Sequence, residues 1–133
     1  MIAQQMATTS TVARTNTLSI ATMLRLEGLI VFAATVALYG QVSGQWVLFL
    51  VLFLAPDLAF IGVMLNKELG RHIYNTVHTY SLAIGLAALA YFANWETVLA
   101  IALIWTAHIA LDRLVGYGLK YSIDGKVTHL QRV

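Results

Sequence analysis

Four long apolar segments alternate with short polar breaks along the chain. The segments cover approximately residues 18–39, 46–65, 73–92 and 98–115, and the breaks contain GQVSGQ, NKELGR and ANWE. Each segment approaches the ~20 residues that a helix needs to cross a hydrocarbon core of ~30 Å. Because no water satisfies backbone groups inside a bilayer, helix is the expected form. The pattern predicts an all-α polytopic membrane protein, an antiparallel bundle of four transmembrane helices.

The two ends of the chain are more polar than the segments between them. Residues 1–17 are expected to form a flexible polar tail, residues 18–121 the transmembrane domain, and residues 122–133 a cytoplasmic tail. The first apolar segment contains Glu27, and no small-residue cleavage site follows it. It is therefore not expected to be a signal peptide.

Composition supports a membrane protein and excludes several functions. Hydrophobic residues make up 59% of the chain and charged residues 11%, whereas about 25% of residues are charged in an average soluble domain. The absence of cysteine excludes disulfides, thiolate metal ligands and cysteine nucleophiles. Clustered basic residues with interleaved aromatic residues are also missing, so nucleic acid is not an expected partner.

All eight basic residues belong to one end of the predicted bundle. They precede or open the first segment, lie in the second break, or follow the fourth segment: Arg14, Arg25, Lys67, Arg71, Arg113, Lys120, Lys126 and Arg132. Trp46 and Trp95 lie at the opposite end, as interfacial aromatic residues often do. The positive-inside rule therefore predicts that this end, with both termini, is cytoplasmic.

Polar side chains interrupt the apolar segments at one common depth. They come from all four segments: Glu27, Asp57, Asn75, His78, His108 and Asp112. At 1.5 Å per residue, an antiparallel bundle brings them within about a dozen Å of the cytoplasmic boundary. Burying a carboxylate costs several kcal/mol unless it is paired or coordinated, so these residues are expected to face the bundle interior and form a site.

The residue types and their spacing favour a divalent metal ion at this site. His108 and Asp112 are four residues apart and share one helix face. Pro56 disturbs the helix just before Asp57 and can turn its carboxylate toward a cavity. With His78, these three residues offer the nitrogen and oxygen ligands that Zn²⁺, Mn²⁺ or Fe²⁺ accepts.

Other residues are expected to surround or assist the ligands, and simpler readings stay open. Glu27 is a candidate general base, and the expected neighbours are Asn75, Tyr80 and Arg113. Alternatively, Asp112 and Glu27 form ion pairs with nearby arginines, and His78 is a core histidine. The roles of His72 and His129 are open, although THL at residues 128–130 could fold back over the site.

Three stretches carry a family resemblance. LAPDLAFIGVML, IYNTVHTYSL and AHIALDRLVGYGLKY with THL resemble the small bacterial integral membrane proteins called domain of unknown function 4260, over about residues 24–130. The resemblance implies a four-helix membrane architecture in the bacterial inner (plasma) membrane and no assigned activity. A distant resemblance to inner-membrane metal-dependent hydrolases covers Pro56–Asp57, His78–Thr79 and His108 with Asp112, and it implies metal ligands there. The Thr-His order of those hydrolases is His-Thr in this chain.

Three classes of function remain open. The first is a membrane-embedded metal-dependent hydrolase of a lipid or lipid-linked substrate. The second is an electron-transfer protein with a haem between His78 and His108. The third is a small transporter, channel or assembly subunit whose polar cluster is an ion pathway. Membrane lipid is the expected partner, and a homo-oligomer is expected because four short helices cannot both enclose a polar cavity and shield it from lipid.

Overall fold

The computed structural model describes the backbone of residues 2–120 and 128–131 and the side chains of residues 20–120 and 128–130. The helices are α1 (Ile2–Val42), α2 (Trp46–Phe53), α3 (Ala59–Leu65), α4 (Lys67–Val77), α5 (Tyr80–Phe92) and α6 (Glu96–Val115), with 3-10 turns at Ala55–Leu58 and His129–Gln131. In this described part, β pairing is limited to an isolated bridge between Lys120 and Thr128. The all-α prediction is confirmed.

Three segments are long and apolar enough to cross a membrane: Ile20–Val42, Trp46–Leu65 and Glu96–Val115. The first two expose many large apolar side chains, among them Ile30, Val47 and Leu50, as lipid-facing helices do. The last segment, α6, is more buried because α1, α2 and α5 all pack against it. The prediction of membrane helices is therefore confirmed, and α6 is the central one.

The third predicted segment is not one continuous helix. It is divided into α4 and α5 at His78 and Thr79, where the backbone of Thr79 is extended (φ −99°, ψ 137°). Residues Tyr80–Phe92 form a shorter apolar helix than the three spanning segments. Helix α4 folds back on α3 so closely that a Cβ atom at Gly70 would overlap the backbone of Val63. The predicted bundle of four antiparallel transmembrane helices is thus not confirmed.

The ends of the chain extend this helical core. Helix α1 begins at Ile2, so it includes most of the residues assigned above to an N-terminal tail, whose flexibility stays a prediction. Residues 128–130 fold back, because the His129 N–H donates to the Leu119 carbonyl at 2.9 Å and Leu130 is buried. The remainder of the predicted tail, residues 122–127 and 132–133, lies outside the described residues.

An apolar core occupies the end of the molecule at which α1 leads into α2. It consists of Tyr39, Phe49, Ala100, Leu103, Ile104 and Ala107, and is called the aromatic core below. Tyr39 and Phe49 pack edge to face with ring centroids 5.1 Å apart, a preferred arrangement of aromatic pairs. The buried Tyr39 hydroxyl donates to the Gln45 carbonyl at 2.8 Å. This end is therefore held by apolar packing with its polar atom satisfied.

Candidate metal centre

Asp57, His78, His108 and Asp112 come together in one cluster, called the His/Asp cluster below. Asp57 lies in the 3-10 turn after α2, His78 lies between α4 and α5, and the other two lie in α6. Counted along the helices from Trp46, Phe92 and Glu96, these residues are about 11–16 positions away, or ~17–24 Å. Similar depth on neighbouring helices therefore explains why residues distant in sequence meet.

Five of the six distances between the donor atoms of the cluster lie between 3.3 and 3.6 Å. The His78 and His108 Nε2 atoms are 3.3 Å apart. The His108 Nε2 atom lies 3.4 Å from Asp57 Oδ1 and 3.5 Å from Asp112 Oδ2, and the His78 Nε2 atom lies 3.6 Å from each of these oxygens. Edges of 3.3–3.6 Å are those of a tetrahedron whose centre lies about 2.0–2.2 Å from each corner, the range of Zn–N and Zn–O bonds. All four donor atoms lie within 4.8 Å of one another.

Pro56 positions the Asp57 carboxylate. Helix α2 ends at Phe53, because a proline three residues later has no N–H and its ring clashes with the carbonyl of residue 52 in a continued helix. The chain instead makes a tight turn in which the Asp57 N–H donates to the Leu54 carbonyl at 3.1 Å. The side chain of Asp57 is 52% exposed, the most accessible of the four. The cluster is therefore open on the Asp57 side.

The His78 ring is fixed by the last turn of α4. Its Nδ1 atom lies 3.0 Å from the Tyr74 carbonyl oxygen, which can only accept, so Nδ1 carries the proton and Nε2 keeps its lone pair. The Tyr74 ring stacks on the imidazole at 3.8 Å between centroids and 14° between planes. Metal-binding histidines are commonly oriented in this way, by a hydrogen bond from the ring nitrogen that does not bind the metal to a backbone carbonyl.

His108 and Asp112 project from the same face of α6. The His108 side chain is 3% exposed, and its ring lies edge to face against Phe53 and His78, each at 5.3 Å between centroids. Its Nδ1 atom is buried without a hydrogen-bond partner in the described part of the chain. The Asp112 side chain is 18% exposed. Three of the four residues are thus shielded, and access to the donor atoms is past Asp57.

Arg113 supports the cluster from behind rather than pairing with Asp112. Its guanidinium donates to the His78 carbonyl at 2.8 Å and to the Tyr117 carbonyl at 3.0 Å. Within the described residues, no ion pair joins it to Asp112 or Glu27. The simpler reading of Asp112 as only the partner of Arg113 therefore has no contact to support it.

Helix α6 ends in a tight turn shortly after Asp112 and Arg113. The Gly116 N–H donates to the Arg113 carbonyl at 3.2 Å and the Tyr117 N–H donates to the Asp112 carbonyl at 2.7 Å, the bonds of a Schellman motif. Gly116 has φ +100°, a conformation that side chains with a Cβ rarely adopt. Helix α6 therefore ends at Val115, within three residues of Asp112.

Three supporting residues escape the sequence-level prediction. Tyr74 stacks on His78, the Trp105 Nε1–H donates to the Val77 carbonyl at 2.6 Å, and the Lys120 ammonium lies 4.1 Å from the Tyr74 ring centroid. Helical spacing gives a signal for the first two, because they precede ligand candidates by four and three residues. Lys120 offers no such signal, because it follows the helix.

The remaining predicted residues lie around or outside the cluster. Asn75 exchanges two hydrogen bonds with the backbone of Lys120, at 2.8 and 2.9 Å. The Arg113 guanidinium lies 5.9 Å from the Tyr80 ring centroid. Glu27 is exposed and lines a neighbouring cavity, so its role as a general base stays a prediction. His72 is exposed and contacts Arg71 at 3.2 Å, outside the cluster.

Comparison with known proteins identifies the family. Residues 21–133, which include the whole His/Asp cluster, match the family described as Domain of unknown function (DUF4260). The chain belongs to the DUF4260 family. The resemblance drawn from its sequence motifs is thereby confirmed. Neither curated proteins nor solved structures give a match to this DUF4260 protein, so the distant hydrolase resemblance receives no support from them.

Proposed function

We propose that this DUF4260 protein is a membrane-embedded divalent-metal protein and that it hydrolyses a lipid or lipid-linked substrate. The observation that carries the metal proposal is the set of two imidazole nitrogens and two carboxylate oxygens, all within 4.8 Å of one another. Zn²⁺ is the first choice because structural and catalytic zinc sites use these donors. Mn²⁺ and Fe²⁺ accept the same donors.

Charge also favours a cation at the cluster. Asp57 and Asp112 direct carboxylate oxygens at imidazole nitrogens that lie 3.3 Å apart. Two anionic groups beside a nitrogen lone pair are unfavourable at low dielectric unless positive charge compensates them. A divalent ion would balance the two carboxylates and satisfy all four donors. It would supply a Lewis acid that polarises a carbonyl or phosphoryl oxygen.

The hydrolase proposal rests on how this chain positions and exposes the cluster. Tyr74 and Arg113 fix both the ring and the backbone of His78, which holds a donor in place as a catalytic site requires. The opening lies at Asp57, which belongs to the Trp46–Leu65 spanning segment, so a substrate can approach from the lipid. Glu27 is proposed as the general base.

The same features support the proposed location and assembly. Arg25, Lys67 and Lys120 lie toward the end of the molecule that carries the cluster, which the positive-inside rule makes cytoplasmic in a bacterial inner membrane. An exposed carboxylate in a spanning segment is costly in lipid. A second copy of the chain covering Asp57 would lower that cost, which supports a homo-oligomer.

The haem alternative gains no support from the geometry. Two axial nitrogens on one iron lie about 4 Å apart when each bond is about 2 Å, with a macrocycle between them. Here the two Nε2 atoms are 3.3 Å apart and both contact the same two carboxylates. No space remains between them for a porphyrin. An ion pathway through the cluster stays the competing class.

Metal analysis of the purified protein tests the metal proposal. We expect about one divalent ion per chain in protein prepared without chelator, and loss of that ion in His108→Ala and Asp112→Ala. Both variants should still insert, because insertion depends on segment hydrophobicity. His72→Ala, a histidine outside the cluster, is the matched control and should retain the ion. Wild-type protein without metal that gains no thermal stability from Zn²⁺, Mn²⁺ or Fe²⁺ would contradict the proposal.

Activity separates a hydrolase from an ion pathway. Protein loaded with metal in phospholipid nanodiscs should release a fatty acid or a headgroup, and Asp57→Ala should not. Glu27→Gln should retain the metal but lose most of the turnover if Glu27 is the base, because general-base catalysis contributes about 10²–10⁴-fold. Metal-dependent ion flux without lipid cleavage would favour the competing class instead.

A further inference from the structure

A cavity lies beside the His/Asp cluster, between α1, the start of α5 and the end of α6. Its volume is about 570 Å³, within the usual size of small-molecule sites. The polar residues that line it are Glu27, Thr79, Tyr80, Ser81, Arg113 and His129. Leu24, Val31 and Leu119 form an apolar part of the wall. The cavity therefore has one polar and one apolar part.

The polar part holds a buried cation with donors to spare. Arg113 is 8% exposed and uses two N–H groups on the His78 and Tyr117 carbonyls, whereas a guanidinium has five. Tyr80 lines the same cavity, and its hydroxyl is buried without a hydrogen-bond partner among the described residues. A guanidinium with unused N–H groups and an unpaired hydroxyl, both on the wall of one cavity, suit a phosphate group, which Arg can bind through charge-assisted hydrogen bonds.

The same cavity also contains a carboxylate. Glu27 is exposed within the spanning segment Ile20–Val42, and in the described part of the chain it forms no ion pair with Arg113. A charged side chain exposed on a membrane helix is costly unless it finds a partner. Because a carboxylate repels a purely anionic ligand, the cavity fits a ligand that carries both signs of charge.

We propose that this cavity binds the headgroup of an amine-bearing phospholipid, with the phosphodiester on Arg113 and Tyr80 and the ammonium on Glu27. The apolar wall formed by Leu24 and Val31 faces the glycerol and the start of the acyl chains. A primary ammonium donates hydrogen bonds to a carboxylate, which the quaternary amine of phosphatidylcholine cannot do. This binding does not require the metal. Because the ammonium occupies the carboxylate of Glu27, headgroup binding and the general-base role proposed above exclude each other at any one time.

Lipid binding to the full-length protein in detergent tests the proposal. Native mass spectrometry would compare phosphatidylethanolamine, phosphatidylglycerol and phosphatidylcholine, both after EDTA treatment and after metal loading. We expect phosphatidylethanolamine to bind most tightly in both preparations. Glu27→Gln should lower its affinity about fivefold, as expected for one partly exposed charge pair, and leave phosphatidylglycerol binding unchanged or stronger. Glu68→Gln, an exposed carboxylate on α4, is the matched control and should change neither.

Tyr80→Phe tests the phosphate contact without removing the ring. It should weaken both phosphatidylethanolamine and phosphatidylglycerol about tenfold, because a hydrogen bond to a charged group is lost. Inorganic phosphate should compete only weakly, since it lacks the amine. Equal binding of all three lipids, or an unchanged preference in Glu27→Gln, would overturn the proposal. Lipid selectivity in a protein that binds no metal would leave this inference intact while contradicting the proposed function.

Discussion

The two ends of α6 differ in how they are stabilised. Toward its beginning, Leu103 and Ile104 pack into the aromatic core, where the one polar atom of Tyr39 has a partner. Toward its end, His108 and Asp112 meet a turn and a helix break, and the His108 Nδ1 atom has no partner in the described part of the chain. Packing alone explains the first end. The second end gathers polar groups that a bound cation would stabilise.

Helix continuity differs in the same way. Helices α1 and α6 continue without a break past the level of the cluster. The chain between them is interrupted at that level twice, at Pro56–Asp57 and at His78–Thr79. Broken helices in membranes are tolerated where they are buried in protein or line a cavity. The interruptions therefore coincide with the candidate metal centre, and substitutions at the two ends of α6 should have different effects.

The largest expected effect on stability is at the aromatic core. Ile104→Ala removes a side chain that is 1% exposed and should lower the free energy of unfolding by about 2–5 kcal/mol through the cavity it leaves. Metal content should not change, because Ile104 belongs to the packed end. Thermal unfolding with metal analysis measures both. Ile101→Ala, on the same helix but 40% exposed, should cost much less, and loss of metal in Ile104→Ala would contradict the separation of the two ends.

An intermediate effect is expected at Arg113. Arg113→Gln leaves the His78 and Tyr117 carbonyls without their donor and should cost about 1–3 kcal/mol. Metal affinity should fall about 10–100-fold, the usual effect of losing a group that supports a ligand. Titration with Zn²⁺ after EDTA treatment measures the change.

A double variant decides whether Asp112 is more than the partner of Arg113. If the two residues only neutralised each other, Asp112→Asn combined with Arg113→Gln would behave like the wild type. The contacts of Arg113 lead to the opposite expectation, loss of both stability and metal, because each residue has its own partners. Wild-type metal content in the double variant would contradict the proposed site.

The sequence predicts the residues of the cluster better than the path of the chain. Counting residues along the helices gives the depth of each side chain in the membrane. On that basis the sequence predicts that four residues lie close together: Asp57, His78, His108 and Asp112. The break between α4 and α5 is harder to predict, because neither proline nor glycine occurs at His78 and Thr79. The boundary between α3 and α4 does have a signal in the sequence. Asn66 is a favourable residue type for the start of a helix, and its side chain accepts a hydrogen bond from the Leu69 N–H at the start of α4.

Contacts that depend on tertiary structure could not be predicted. The acceptors of Arg113 are backbone carbonyls, and every residue offers one, so sequence alone does not select His78 and Tyr117. Lys120 belongs to a polar stretch after the last helix, yet it is buried between the Phe60 and Tyr74 rings. Its burial depends on the α3–α4 fold, which the apolar pattern does not reveal.

The smallest expected effect is a pH dependence of the segment that folds back at the cluster end. The His129 Nδ1 atom accepts from the Leu119 N–H at 2.8 Å. Burial, and then the charge of Arg113, lower the pKa of His129 below its ordinary value of 6.5. Glu27, whose charge is opposite to that of Arg113, lines the same cavity as His129. Because the unfolded segment binds the proton more readily, its folded contacts are fully present above the unfolded pKa and weaken as the pH falls below 6.5.

Hydrogen exchange at the Leu119 amide measures this effect. After correction for the intrinsic pH dependence of exchange, protection should decrease between about pH 7 and about pH 5, while amides of the aromatic core remain protected. His129→Asn is the matched control, because its side-chain oxygen can accept the same bond and does not titrate. An equal loss of protection in that variant would show that a group other than His129 titrates, and the pH dependence could then not be assigned to His129.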